Sequence, residues 1–207
     1  MKLFLPFFVI FIVWLSYEIK KSTYTAEKSR EEFLAREQQA NLTRRQNIDS
    51  LDYITIPLKS LPFLENPSEK ISLAEENIKK LANKRILNLS NKTNTELKLE
   101  YGVANLEALS SYDENFTFLI SALNKWANAL LLENYNKEAI TVLEYAINIG
   151  ADTKQTYTLL AKEYSKEQEL PKIQSLIKKA NSLNTLTKNS IISELKQIYN
   201  SQTISDQ

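Results

Sequence analysis

The chain has 207 residues, 43% of them hydrophobic, and a formal net charge of +1. With no Cys and no His it has no disulfide, thiolate nucleophile, Ser-His-Asp triad or HExxH zinc site, and its two glycines cannot build a phosphate-binding loop. The near-neutral charge lacks the basic footprint of a nucleic-acid binder.

Residues 3–19 open the chain with thirteen uniformly apolar positions, Leu3 to Leu15. As a helix, Leu3–Ile19 spans about 25 Å, somewhat less than a ~30 Å hydrocarbon core, and Lys2, Lys20 and Lys21 can snorkel across the difference. A cleaved signal peptide and an uncleaved anchor both fit such a stretch. No small-x-small cleavage site follows it, and Trp14 and Tyr17 suit a headgroup interface, so the anchor is favoured. Lys20, Lys21, Lys28 and Arg30 follow the segment and only Lys2 precedes it. The expectation is a single-pass membrane protein with its C-terminal domain in the cytoplasm.

Residues 20–50 alternate in charge without Gly or Pro. Glu27–Arg30 and Glu32–Arg36 sit at helical spacing, so a solvated helical stalk is expected. Residues 51–67 carry Pro57, Pro62 and Pro67, which exclude a helix, yet include Ile54, Ile56, Leu61, Phe63 and Leu64. That combination predicts an extended apolar strap covering part of a helical domain. Residues 68–114 read as two helices. Ser68 caps the first, with Ile71, Ala74, Ile78 and Leu81 as its apolar stripe. Thr95 or Asn94 caps the second, which ends near Ser110.

From about residue 115 one pattern occurs twice, 34 residues apart. Leu123 matches Tyr157, Trp126 matches Leu160, Ala127 matches Ala161, Leu130 matches Tyr164, Leu143 matches Ile177, and Ala146 matches Ala180. Asp113 or Asn115 is placed to start its first helix. Residues 184–201, with Ile191, Ile192, Leu195 and Ile198, read as a closing helix, and 202–207 as a disordered tail.

These matched positions resemble the tetratricopeptide family, with its 34-residue helix–turn–helix unit and small residues where helices cross. The resemblance implies an all-α fold: a tetratricopeptide-like α-hairpin array (an α-α superhelix), here behind an N-terminal transmembrane helix and the proline-containing strap. The family's glycine is replaced by Ala127 and Ala161, and Ile173 stands where a small residue is expected. The segments QANLTRRQ, LDYITIPLKSLPF and YDENFTFL further resemble membrane-anchored tetratricopeptide-like proteins of clostridial bacteria, a resemblance that implies no particular activity.

In such arrays the first helix of each hairpin lines a concave face. Asn124 and Asn128, then Thr158 and Lys162, are the candidate partner-binding residues, because side-chain amides and an ammonium can hold an extended peptide. The expected function is a membrane-anchored scaffold for a protein or peptide partner, with no catalysis, cofactor, metal or nucleic acid. The alternative is a structural subunit of a membrane-associated assembly, docking through the 51–67 strap or the stalk. Oligomeric state stays open.

Overall fold

The computed structural model describes residues 4–205, and these are all-α: eight α-helices and one short 3₁₀ turn, without a strand. The helices are α1 (Phe4–Leu42), α2 (Glu69–Leu81), α3 (Asn94–Tyr101), α4 (Leu106–Leu132), α5 (Asn136–Asn148), α6 (Lys154–Lys166), α7 (Leu170–Asn181) and α8 (Lys188–Ser205). They group into two compact units. Unit 1 is residues 1–50 with 92–107, and unit 2 is residues 51–91 with 108–207.

Unit 1 pairs α1 with α3. Its large apolar side chains from Phe7 to Leu15 are all exposed, and Glu18 interrupts the run just before Lys20 and Lys21. No helix among the described residues is long and apolar enough to cross a membrane, so the segment expected to span at 3–19 is not found as a spanning helix. Leu3 lies outside the described residues. The stalk also departs from expectation. The helix stops at Leu42, and although most of its last turns are exposed, one face is covered: Ala40 is fully buried and Glu37 half-buried. Glu37 accepts from the Thr95 hydroxyl and from Lys98 at 2.9 Å, and Arg36 lies 3.7 Å from Glu96. The Asn105 amide donates to the carbonyls of Gln46 and Tyr101, each at 2.7 Å, and accepts from Arg45 at 3.2 Å. Gly102 permits this approach. Its φ is +84°, and a Cβ there would stand 2.6 Å from the Arg44 carbonyl oxygen.

The second of the two helices expected in 68–114 is therefore α3, which belongs with α1. Its cap is Thr93, in a reciprocal capping box with Glu96, one residue ahead of the positions expected. Nor does a helix end near Ser110. α4 runs unbroken through residues 110–116 because nothing there breaks a helix. The residues read as its caps are used sideways instead: Asp113 accepts from the Leu89 N–H at 2.8 Å, and the Asn115 amide donates to the Arg85 carbonyl at 3.0 Å.

Unit 2 holds one continuous apolar core. Leu123, Trp126, Ala127 and Leu130 of α4 meet Ala139, Leu143 and Ala146 of α5, Leu160 and Ala161 of α6, and Ile173 and Ala180 of α7. Fully buried alanines occupy positions where a larger side chain would hold neighbours apart. α6 packs on α5, α7 and α8, and α8 contributes Ile191 and Leu195 to the core. α8 continues through Ser205, so residues 202–205 of the expected tail are helical, while 206 and 207 lie outside the described residues.

The turn between helices recurs at the same spacing as the side-chain pattern. Asn134 and Gln168 both take positive φ, 64° and 59°. The Tyr135 N–H bonds the Leu130 carbonyl at 3.0 Å, and the Glu169 N–H bonds the Tyr164 carbonyl at 2.9 Å. One left-handed residue closes each helix by satisfying carbonyls of its last turn.

Residues 51–67 are without a helix and lie against this core, but they are not extended throughout as expected: a turn at 57–61 brings the Ser60 and Leu61 N–H groups to the Pro57 carbonyl at 3.0 and 3.2 Å. Ile56 and Leu61 are buried, and the Phe63 ring stacks on Trp126 with centroids 4.8 Å apart. The buried Glu75 of α2 accepts from the Leu64 N–H at 3.0 Å, tying the strap to α2.

Candidate functional site

Asn124, the first of the candidates, is buried. Its Oδ1 accepts from the Thr156 hydroxyl at 3.0 Å, and its Nδ2 stands 3.5 Å from the Thr153 hydroxyl. Thr153 caps α6 by accepting from the Thr156 N–H, so this cluster joins α4 to the start of α6. Asn128 donates to the Asn124 backbone carbonyl at 2.9 Å, a bond within α4. Thr158 is half-buried, and its hydroxyl has no hydrogen-bond partner among the described residues. Lys162 is exposed on α6. Asn128 borders a groove along α2 and α4, whereas Asn124 borders a smaller depression of about 270 Å³ near Asp113 and Asp152. Neither cavity is lined by all four residues.

The groove, of about 630 Å³, is the larger feature. Its α2 wall is Lys70, Leu73, Asn77 and Lys80, a helical stripe of spacing three and four. Its α4 wall is Phe118, Ala122, Lys125, Ala129 and Leu132, a second such stripe. Both elements carry large apolar residues off their core-facing stripe. On α2, Ile71, Ala74, Ile78 and Leu81 go to the core while Leu73 stays 60% exposed. On α4, Leu123, Trp126 and Leu130 go to the core while Phe118 stays 59% and Leu132 76% exposed. Ala122 and Ala129 keep the α4 wall low between the two large side chains.

Charge along the groove has one sign. Lys70, Lys80, Lys84 and Lys125 line it, and no carboxylate does among the described residues. Lys80 is paired with Glu76 at 2.9 Å within α2; Lys70, Lys84 and Lys125 make no ion pair among the described residues. Sequence reading missed this site because Leu73, Phe118 and Leu132 fall off the core stripes of their helices. The signal present was that each is a large apolar residue on an otherwise wet face.

Between α5, α6 and α7, a depression of about 150 Å³ is lined by Tyr164, Glu144 and Lys172, among others. The Tyr164 hydroxyl donates to Glu144 at 2.6 Å. Burial first, then that carboxylate, push its pKa up, so it stays a neutral donor rather than a nucleophile. Among the described residues no cluster of three or more Asp and Glu side chains is arranged to hold a metal ion. No protein-family model, curated protein or solved structure matches the chain.

Proposed function

We propose that this chain is a helical-repeat scaffold of the tetratricopeptide-like kind that binds a protein or peptide partner near a membrane. The observation that carries the reading is the open groove along α2 and α4, where three strongly exposed large apolar side chains, Leu73, Phe118 and Leu132, line one concave site. Grouped apolar exposure of this kind in a concave site is what partner surfaces present. The turn repeated at Asn134 and Gln168, together with the alanines at the crossings, supports the repeat-array part. The reading assigns no catalytic residue and no cofactor.

The tether in this reading is the first part of α1. Nine consecutive apolar side chains, Phe7 to Leu15, are exposed among the described residues, and lipid is the solvent that would cover them. Lys20 and Lys21 would then sit at headgroup level with the following domain on the cytoplasmic side. Holding the groove at a surface raises the effective concentration of a membrane-borne partner, so a modest intrinsic affinity is enough.

A photo-crosslinking amino acid at Phe118 of the full chain, in the cells that make it, tests the groove. Adducts are expected from position 118 and not from the fully exposed Leu186, and Leu73→Asp is expected to abolish them. Equal adduct yield at both positions would remove the groove from the function.

A further inference from the structure

We infer that the groove takes an acidic amphipathic helix of about three to four turns, donated by a partner protein. This inference rests on the proposed partner-binding reading and names the chemistry of the partner. Its basis is the joint pattern of shape, apolar anchors and charge. The walls are α2, from Lys70 to Leu81 with Lys84 in the turn just past its end, and α4, from Phe118 to Leu132. The α4 wall spans 15 residues, about 21 Å from end to end at ~1.5 Å rise per residue, and the helical part of the α2 wall, Lys70 to Leu81, spans 12, about 17 Å; a helix of about 12 to 15 residues matches that length. A third helix laid between two others buries a stripe at i, i+3, i+4 and i+7, the usual helix-in-groove mode.

The anchors fit that mode. Phe118 and Leu132 are 14 residues apart on α4, so they stand at the two ends of the groove, with Ala122 and Ala129 between them leaving room for inserted side chains. Leu73 faces them from α2. The rim decides the charge. With Lys70, Lys84 and Lys125 unpaired among the described residues and no carboxylate opposing them, an apolar helix flanked by Glu or Asp gains at both edges. A basic helix is repelled at the same positions. A bilayer surface shares the anionic and apolar chemistry but is flat on this scale, and it cannot fill a channel between two helices as a rod of ~10 Å diameter does.

The test uses the full chain held in neutral-lipid nanodiscs and three fluorescent 14-residue peptides. One carries leucines at helical spacing with glutamates elsewhere. The second replaces the glutamates by lysines. The third scrambles the first so that no apolar stripe forms. The glutamate peptide is expected to bind at least tenfold tighter than either other peptide, and to weaken about tenfold as salt is raised from 0.05 to 0.5 M, since rim charges are screened. The triple variant Lys70→Glu, Lys84→Glu, Lys125→Glu is expected to reverse the preference toward the lysine peptide. Phe118→Asp is expected to abolish binding of both. All four positions line an open groove, so circular dichroism of the variants should match the parent.

Equal binding of the glutamate and lysine peptides, still lost in Phe118→Asp, would overturn the charge assignment while leaving the groove as a partner site. Binding unaffected by Phe118→Asp, or absent for all three peptides, would overturn the helix-in-groove inference. Binding of the chain to vesicles containing phosphatidylserine that is lost in the lysine triple variant, with no peptide bound, would overturn it in favour of a lipid surface.

Discussion

Unit 1 and unit 2 are both helical, but they are held together by different forces. Unit 1 buries few large side chains, chiefly Ile48 and Leu97, and relies on a dense set of polar bonds: Glu37 to Thr95 and Lys98, Arg45 to Asn105, Asn105 to two carbonyls. Unit 2 buries some thirty apolar residues in one cluster, roughly, and its polar bonds mostly finish turns and caps. Apolar burial contributes about 25 cal/mol per Å² and does not titrate, whereas partly exposed ion pairs contribute little and respond to pH and salt. The contrast teaches that helix content alone says nothing of robustness. Unit 1 is expected to open at a small fraction of the free energy needed to unfold unit 2.

The largest expected effect attacks unit 2 at its centre. Trp126 is fully buried, stacked under Phe63, and touches the strap and the repeat at once. Trp126→Ala should cost about 3–5 kcal/mol, read as a lowered urea midpoint for the loss of helical signal. A cost under about 1 kcal/mol would show that the strap and repeat do not share a core.

A smaller effect should fall on unit 1 alone. Gly102→Ala places a Cβ on a backbone with φ of +84° and against the Arg44 carbonyl at 2.6 Å. Strain of this kind costs about 1–3 kcal/mol, and here the neighbour is backbone that cannot swing away. Amide exchange at Gln46, whose N–H bonds the Tyr101 carbonyl at 3.0 Å, should accelerate while exchange in α5 stays unchanged. Equal acceleration in both places would erase the distinction between the units.

The smallest effect is acid loosening. The Thr95 hydroxyl, then Lys98, hold the Glu37 carboxyl below its ordinary value. A carboxyl lowered in the folded state contributes stability that is present above the unfolded value, about 4.5, and lost as pH falls through the folded one. Gln46 exchange should therefore quicken, relative to α5, below about pH 4.5, and Glu37→Gln should make it fast already at pH 7. A flat ratio across that range in both proteins would show that the pair does not hold α1 to α3.

Much of the helical framework is legible in the sequence because it is local. The stripes Ile71–Ala74–Ile78–Leu81 and Leu123–Trp126–Leu130 follow the helical period, and each faces the core. The errors come from long-range partners. Asp113 and Asn115 have the composition of helix caps, but their acceptor and donor lie in residues 85–89, and no local pattern announces that. The assignment of α3 to α1 depends likewise on Glu37 meeting residues some sixty positions away. The same limit hides the groove. Leu73 and Phe118 are each unremarkable on their own helix, and their significance exists only once α2 and α4 line one channel. Asn124 and Asn128 share α4, as their spacing implies, yet a four-residue spacing does not reveal that Thr156 claims the first amide.

The strap has a consequence for synthesis. Ile56, Leu61 and Phe63 leave the ribosome about 60 residues before Trp126, the ring on which Phe63 stacks. At ~5–20 residues per second, these apolar side chains wait several seconds without cover. The wait ends with a loop closure whose entropy must be met before contacts reward it, so docking of the strap belongs among the late steps. Pro57, Pro62 and Pro67, which keep the segment out of a helix, also keep it from pairing as a strand with another nascent chain. The residues that shape the strap in the finished fold thus guard it while the fold is still being made.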